Sequence, residues 1–180
     1  PILMLIWMTI LHYDFGPVNG LIQKLFGGNA RFNFFSQTSI IPSIAMVNTW
    51  RHVGYVSLLL FAGLQTIPSE IYEAAAIDGA SGWNIFTRIT LPLLRPVIVF
   101  VLVTSLVGAF QVYDSVAVAA VPSGGPGDST RVIFWYIVNL AFTRFQMGYA
   151  SAVAVALFLI CAVLTWINMK SFRANESDLG

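Results

Sequence analysis

Two stretches of this chain run without a formal charge for about the thickness of a lipid bilayer. Val97 to Tyr113 is uncharged, and its apolar character continues past Asp114 to Pro122. Gln146 to Met169 is also uncharged and ends at Lys170, Ser171, Phe172 and Arg173. The hydrocarbon core of a membrane needs about 20 mostly apolar residues per helix, so both read as spans. A third, from about Ile44 to Gln65, is interrupted near its beginning by Asn48, Arg51 and His52, then stays uncharged from Val53 to Ile67. Its polar residues are expected near an interface or against other helices. Ile2 to Leu11 is apolar but too short to cross alone. The chain opens with Pro1 inside that run, without the charged leader and cleavage site of a signal peptide. The simplest expectation is a truncated helix at the start of the C-terminal part of a larger membrane protein.

Composition closes off other classes. Only 9% of the 180 residues are charged, against about a quarter in ordinary soluble domains. Nine basic and eight acidic residues leave a net charge of +1, too little to bind a nucleic-acid backbone. Abundant Leu, Ile, Val and Phe exclude a disordered chain. The single Cys161 makes no intrachain disulfide, and His12 and His52 are far apart, so no metal site is expected. No clustered acid, base or nucleophile lies in the spans, and no catalytic residue is expected. Gly125 to Thr130 is Gly-rich but lacks the Lys of a phosphate-binding loop.

If the start, 44–65, 97–119 and 147–169 all cross, residues 67–95 and the C-terminus share one side, and 12–42 and 120–145 share the other. Segment 12–42 has loop chemistry around a short amphipathic piece, and 132–145 reads as a helix along the membrane surface. The positive-inside rule does not orient this arrangement. Arg88, Arg95, Lys170 and Arg173 on one side face Lys24, Arg31, Arg131 and Arg144 on the other.

Residues 67–96 are the most informative. Pro68 and Ser69 open a short helix with Glu70 and Glu73 in its early turns, where the helix dipole favours anions. Ala74, Ala75 and Ala76 give helix propensity and a small-residue surface. Asp78-Gly79 closes it, with Gly79 suited to a left-handed cap. Ser81 caps a second helix, where Trp83, Phe86 and Ile89 or Thr90 recur at helical spacing, and Leu91-Pro92 stops it. Such a helix held outside the bilayer suits docking to another protein. An ordinary interfacial loop has the same local chemistry.

Glu73-Ala74-Ala75, then Gly79, then Ile89-x-Leu91-Pro92 resembles the EAA loop of binding-protein-dependent ABC importer permeases. The string Glu-Ala-Ala-x-Ile-Asp-Gly-Ala, with Pro68 upstream, resembles their carbohydrate-uptake branch. Asp14-x-Gly16-x-x-Asn19, Phe61-Ala62-Gly63-Leu64-Gln65, Gly124-Gly125-Pro126 and Gly148-Tyr149-Ala150-Ser151-Ala152 extend the likeness over nearly the whole chain. Pro122 stands where the family usually has Thr. The resemblance implies an all-α polytopic membrane protein, a helix bundle of the MetI-like permease type, with about three complete spans and one partial span. It implies a transmembrane domain over 1–173, with a coupling loop at 67–92, and a cytoplasmic tail over 174–180. Residues 69–90 would insert into a cleft on an ATPase subunit, with Glu73 as the charged contact, Ala74 and Ala75 the close-packing face, and Asp78 and Gly79 the turn. Ile89, Leu91 and Pro92 complete the loop. The loop and the C-terminus would then be cytoplasmic, in a multi-pass protein of the bacterial inner membrane.

The implied partners are an ABC ATPase dimer, a second permease subunit, an extracytoplasmic solute-binding protein and membrane lipid. ATP would be used by the ATPase, with no cofactor in this chain. Independently of the resemblance, Asn48, Phe110, Gln111, Tyr113 and Asp114 offer the hydrogen-bonding groups and aromatic faces that a sugar needs. They are the candidate lining of a solute pathway, although Tyr and Asp are also ordinary interface anchors. Gly148, Ala152 and Ala156 recur at a spacing that lets helices pack closely. The expected function is a permease for a sugar, oligosaccharide or glycerol-phosphate-like solute. The alternatives are a self-contained secondary carrier, which would usually show paired intramembrane charges or inverted repeats, and an ABC permease for a non-sugar solute.

Overall fold

A computed structural model describes residues 1–27, 30–119 and 128–174, with side chains as far as Lys170. Among these residues all regular structure is helical. The Pro122 and Gly124-Gly125-Pro126 readings lie outside the described residues. Helix α1 (Ile2–Ile10) is followed by α2 (Pro17–Phe26) and the long α3 (Ile40–Gln65). The loop of interest holds α4 (Ser69–Ile77), α5 (Gly82–Ile85), a π-helical turn (Phe86–Thr90) and α6 (Leu91–Leu93). Then come α7 (Arg95–Phe110), α8 (Asp114–Ala119), α9 (Ile133–Val138), a second π-helical turn (Asn139–Thr143) and α10 (Met147–Ala174).

Local chemistry accounts for most of these boundaries. Pro17 starts α2 behind the extended Gly16, where its fixed φ suits the first helical position and its missing N–H costs nothing. Gly27, at φ 87°, ends it. With 26 residues, α3 is about 39 Å long at 1.5 Å per residue, enough to cross a bilayer. It begins at Ile40, before the start expected from the sequence. Among the described residues, the stretches both long and apolar enough to cross by composition are Arg95–Ala119 and Met147–Lys170. Asn48, Arg51 and His52 dilute the apolar content of α3.

The span expected over 97–119 is not one helix. It breaks after Phe110, and Gln111 to Tyr113 leave the helical path before α8 starts at Asp114. Non-helical backbone at membrane depth is tolerated where protein buries it or where it lines a polar cavity. Here it is tied to its neighbours. Ser115 Oγ donates to Asn48 Oδ1 (3.2 Å), and the Tyr113 ring meets Phe134 edge-on with centroids 6.1 Å apart.

The apolar surface lies outward. Helix α7 contains no buried residue, and Phe158, Ile160, Val163 and Trp166 of α10 are exposed. Exposed apolar area on this scale fits lipid or neighbouring helices, not water. Gly148, Ala152 and Ala156 are exposed too, whereas Ala150 and Leu157 are buried. The small-residue stripe therefore stays open on this chain.

Two compact units emerge. One comprises Pro1–Arg51 and Ala109–Leu159. Its core joins Met4 of α1, Ile40, Ile44 and Val47 of α3, and Val116 and Ala119 of α8. A smaller cluster joins Leu140 and Ala141 to Ala150. The segment after α1 is built around Asn19, which is 1% exposed. Its Nδ2 donates to the carbonyls of His12 (3.2 Å) and Phe32 (3.0 Å), while its Oδ1 accepts from the Phe32 N–H (2.8 Å). Arg31 pairs with Asp14 at 3.1 Å. Asp14-x-Gly16-x-x-Asn19 is thus a brace that folds residues 30–35 back onto the end of α1.

The other unit comprises His52–Gly108 and the chain from Ile160. Here α3 meets the junction of α6 and α7 at Gly63. A Cβ at that position would lie 2.8 Å from both Leu94 Cδ1 and Val97 Cγ2. That close approach explains the glycine in Phe61-Ala62-Gly63-Leu64-Gln65.

Candidate functional site

Helix α4 has two distinct faces. Glu70, Glu73, Ala74 and Ile77, at i, i+3, i+4 and i+7, are all exposed and form one stripe. Ile77 is 87% exposed, a large apolar side chain offered outward beside two carboxylates. Ile71, Tyr72 and Ala75 occupy the inward side, with Ala75 only 7% exposed. Ala74 and Ala75, which the family resemblance implies share one packing face, are divided between the two sides of α4. Ala74 points outward and Ala75 into the chain, because the 100° step between adjacent helical residues separates them. Ile77 was the member of the stripe that sequence reasoning missed. Its spacing from Glu70, Glu73 and Ala74 was the available signal.

The ends of α4 are well defined. Pro68 is the N-cap, and no side chain makes a capping hydrogen bond, so Glu70 complements the first turn through charge alone. At the other end Gly79 has φ 74°. Its N–H donates to the Ala76 carbonyl (3.1 Å), and the Ala80 N–H donates to the Ala75 carbonyl (3.0 Å). This bond pair is a Schellman motif with Asp78 as C-cap, as the Asp78-Gly79 reading anticipates. A Cβ on Gly79 would meet nothing within 4 Å, so substitution costs conformational energy only. Gly79→Ala is expected to lose about 1–2 kcal/mol at this turn. Hydrogen exchange at the Gly79 and Ala80 amides should accelerate roughly tenfold, with a smaller change in Gly79→Asn.

The second helix departs from expectation. Ser81 caps it, its Oγ accepting from the Asn84 N–H at 3.4 Å. Pro92, however, does not stop it, and lies inside α6. Proline cannot donate to the carbonyl four residues back and its ring crowds that carbonyl. The widened π turn just before it, in which the Leu91 N–H donates to the Phe86 carbonyl, accommodates this. The chain bends only at Leu94, and α7 begins at Arg95. Ile89 is half-buried, while Leu91 and Pro92 are exposed.

The candidate pathway residues fall in the other unit. Asn48 is half-buried, donates from Nδ2 to the Ile44 carbonyl (3.0 Å) and accepts from Ser115. Phe110, Gln111, Tyr113 and Asp114 lie on the α7–α8 break, with Gln111 and Asp114 exposed and Phe110 and Tyr113 half-buried. Ser115, the residue after Asp114, meets Asn48 across 67 positions of sequence. Ser115 itself is 6% exposed, and nothing local in the sequence singles it out.

The fold and this loop define a class: a polytopic, all-helical membrane protein with an exposed acidic helix held between long helices. The chain belongs to the family of binding-protein-dependent transport system inner membrane components, whose model matches residues 1–170. It is 35% identical over 173 residues to the sulfoquinovosyl glycerol transport system permease protein SmoG of Agrobacterium fabrum, covering 96% of this chain and 55% of that protein. It is 39% identical over 145 residues to the lactose transport system permease protein LacF of Rhizobium radiobacter, covering 79% of this chain and 47% of that one. The crystal structure of a bacterial ABC transporter that imports the acidic polysaccharide alginate superposes with a TM-score of 0.83 at 26% identity. That match covers 96% of this chain and 60% of its counterpart. A second alginate transporter structure, in complex with a pentasaccharide-bound periplasmic protein, gives a TM-score of 0.82 at 26% identity over 93% and 57%. The fold is therefore the MetI-like permease bundle, and the chain spans about half the length of the relatives it matches.

Proposed function

We propose that the full protein is the permease subunit of an ATP-driven, binding-protein-dependent importer for a carbohydrate. The observation that carries this reading is the outward stripe of Glu70, Glu73, Ala74 and Ile77 on a capped helix, in a chain of the inner-membrane-component family. Relatives named for sulfoquinovosyl glycerol and lactose, and a neighbour that imports alginate, support a sugar-like solute. In this reading the protein sits in the bacterial inner membrane with residues 67–95 on the cytoplasmic side. A second permease completes the pathway, and a soluble receptor delivers solute to the opposite face.

ATP binding closes an ATPase dimer, and the clefts that hold α4 carry the helix with them. The stripe suits such a cleft: carboxylates supply charge complementarity, Ala74 permits close approach, and Ile77 fills an apolar hollow. The chain performs no covalent chemistry, and ATP is bound and hydrolysed by the partner. Asn48, Gln111, Tyr113 and Asp114 supply hydrogen-bond donors, acceptors and a ring face along the solute route. The break after Phe110 frees backbone groups for the same purpose.

Reconstitution of the full-length protein with its receptor and partner permease tests this. Uptake of a sugar into vesicles is expected only when the ATPase subunit and ATP are both present. Uptake without the ATPase would instead establish a self-contained carrier.

A further inference from the structure

One hydrogen bond in the loop ties the inward side of α4 to the π turn. Thr90 Oγ1 donates to the Tyr72 hydroxyl at 3.3 Å, across 18 positions of sequence, and both side chains are half-buried. Tyr72 lies on the inward side of α4, opposite the Glu70–Ile77 stripe. Thr90 is the last residue of the π turn, five positions before α7 begins. Between them runs Asp78-Gly79-Ala80, a turn built on a left-handed glycine. That turn, with Gly79 in the left-handed region, is where a displacement applied to α4 would be absorbed before it reached the π turn.

The π turn determines where Thr90 points. One extra residue per turn rotates everything after it by about 100° relative to a continuous α-helix. The turn sits immediately before Pro92, whose missing N–H breaks the ordinary hydrogen-bond ladder. A chain of causes thus runs from Pro92 to the π turn, from the π turn to Thr90, and from Thr90 to the back of α4.

We propose that Tyr72 and Thr90 are positioning residues, a latch that makes α4 and the head of α7 move as one body. The latch rests on the reading of α4 as the coupling helix. With it closed, movement of the ATPase cleft passes into α7. With it open, the Gly79 turn absorbs that movement, and ATP is hydrolysed without proportionate transport.

The test uses the full-length protein assembled with ATPase, partner permease and receptor in proteoliposomes, measuring solute imported per ATP hydrolysed. Tyr72→Phe and Thr90→Val are each expected to assemble normally and keep ATPase turnover, while the import-to-ATP ratio falls roughly threefold or more. Thr90→Ser, which keeps the hydroxyl, should retain the wild-type ratio. The double variant should be no worse than either single one, because both remove the same bond. An unchanged ratio in the single variants, additive losses in the double variant, or loss of assembly would each overturn the latch. Glu73→Lys, measured in the same preparation, separates the two readings. If it abolishes import while the latch variants behave as wild type, the coupling helix stands and the latch alone falls. If it too imports normally, the coupling-helix reading fails and the latch falls with it.

Discussion

Glu73→Lys is expected to reduce ATP-driven import by roughly 30-fold or more. Glu73 lies at the centre of the α4 stripe, flanked by Glu70, Ala74 and Ile77, and is exposed, so its loss disturbs no internal contact. A carboxylate that becomes buried against a cationic group of a partner is worth about 2 kcal/mol or more when removed, and reversal adds like-charge repulsion. At about 1.4 kcal/mol per tenfold, that loss corresponds to the stated factor in ATPase affinity. Glu73→Gln should fall between, because it keeps the shape and hydrogen-bonding capacity but not the charge. Copurification of the ATPase with the full-length variant, with sugar uptake measured on the same sample, checks this. Intact copurification together with normal uptake would remove Glu73 from the coupling role.

The largest structural loss is expected from Gly16→Ala. A Cβ at Gly16 would lie 2.4 Å from the His12 carbonyl oxygen, 2.6 Å from the His12 nitrogen and 2.6 Å from the Ile10 carbonyl oxygen. All three are backbone atoms, so no rotamer change relieves the clash. The turn itself must open, and with it the contacts through which Asn19 holds Phe32 against the end of α1. Overpacking typically costs about 1–3 kcal/mol and more where the surroundings cannot yield. The upper end applies here. Thermal unfolding of the full-length protein in detergent should begin several degrees earlier. Gly20→Ala is the internal control: four residues on, inside α2, its added Cβ meets nothing within 4 Å. There alanine should be neutral or stabilising by about 0.5–1 kcal/mol, because glycine is the poorer helix former. Equal effects from the two substitutions would refute the steric argument.

These predictions draw unevenly on sequence and structure. Glu73 was legible in the sequence because the motif that contains it is local, and helical periodicity relates its members without tertiary information. The Gly79 turn was legible for the same reason, since a left-handed cap is a property of a few consecutive residues. Gly16 was visible only as a letter in a spaced motif. Its reason is a close approach to the backbone of residues 10 and 12, which spacing does not reveal.

The limits of local reading are plainest in the long apolar run. Composition from Val97 onward predicted one uninterrupted span, since nothing in its hydropathy marks a break. At the break Tyr113 meets the distant Phe134, and Ser115, just beyond it in α8, meets Asn48. Pro92 misled in the opposite direction. Proline ordinarily ends a helix, but a π turn absorbed its missing hydrogen bond and carried the chain to Leu94.

Sequence alone determined that this is a membrane protein with long apolar helices and an acidic, alanine-rich loop between two of them. Apolar length against bilayer thickness and helical spacing are both one-dimensional quantities. Tertiary structure alone decided that Ala75 turns inward while Ile77 turns outward, that Tyr72 meets Thr90, and that Asn48 meets Ser115. Each depends on which face of a helix another segment covers, and that is settled by packing between residues far apart in the chain.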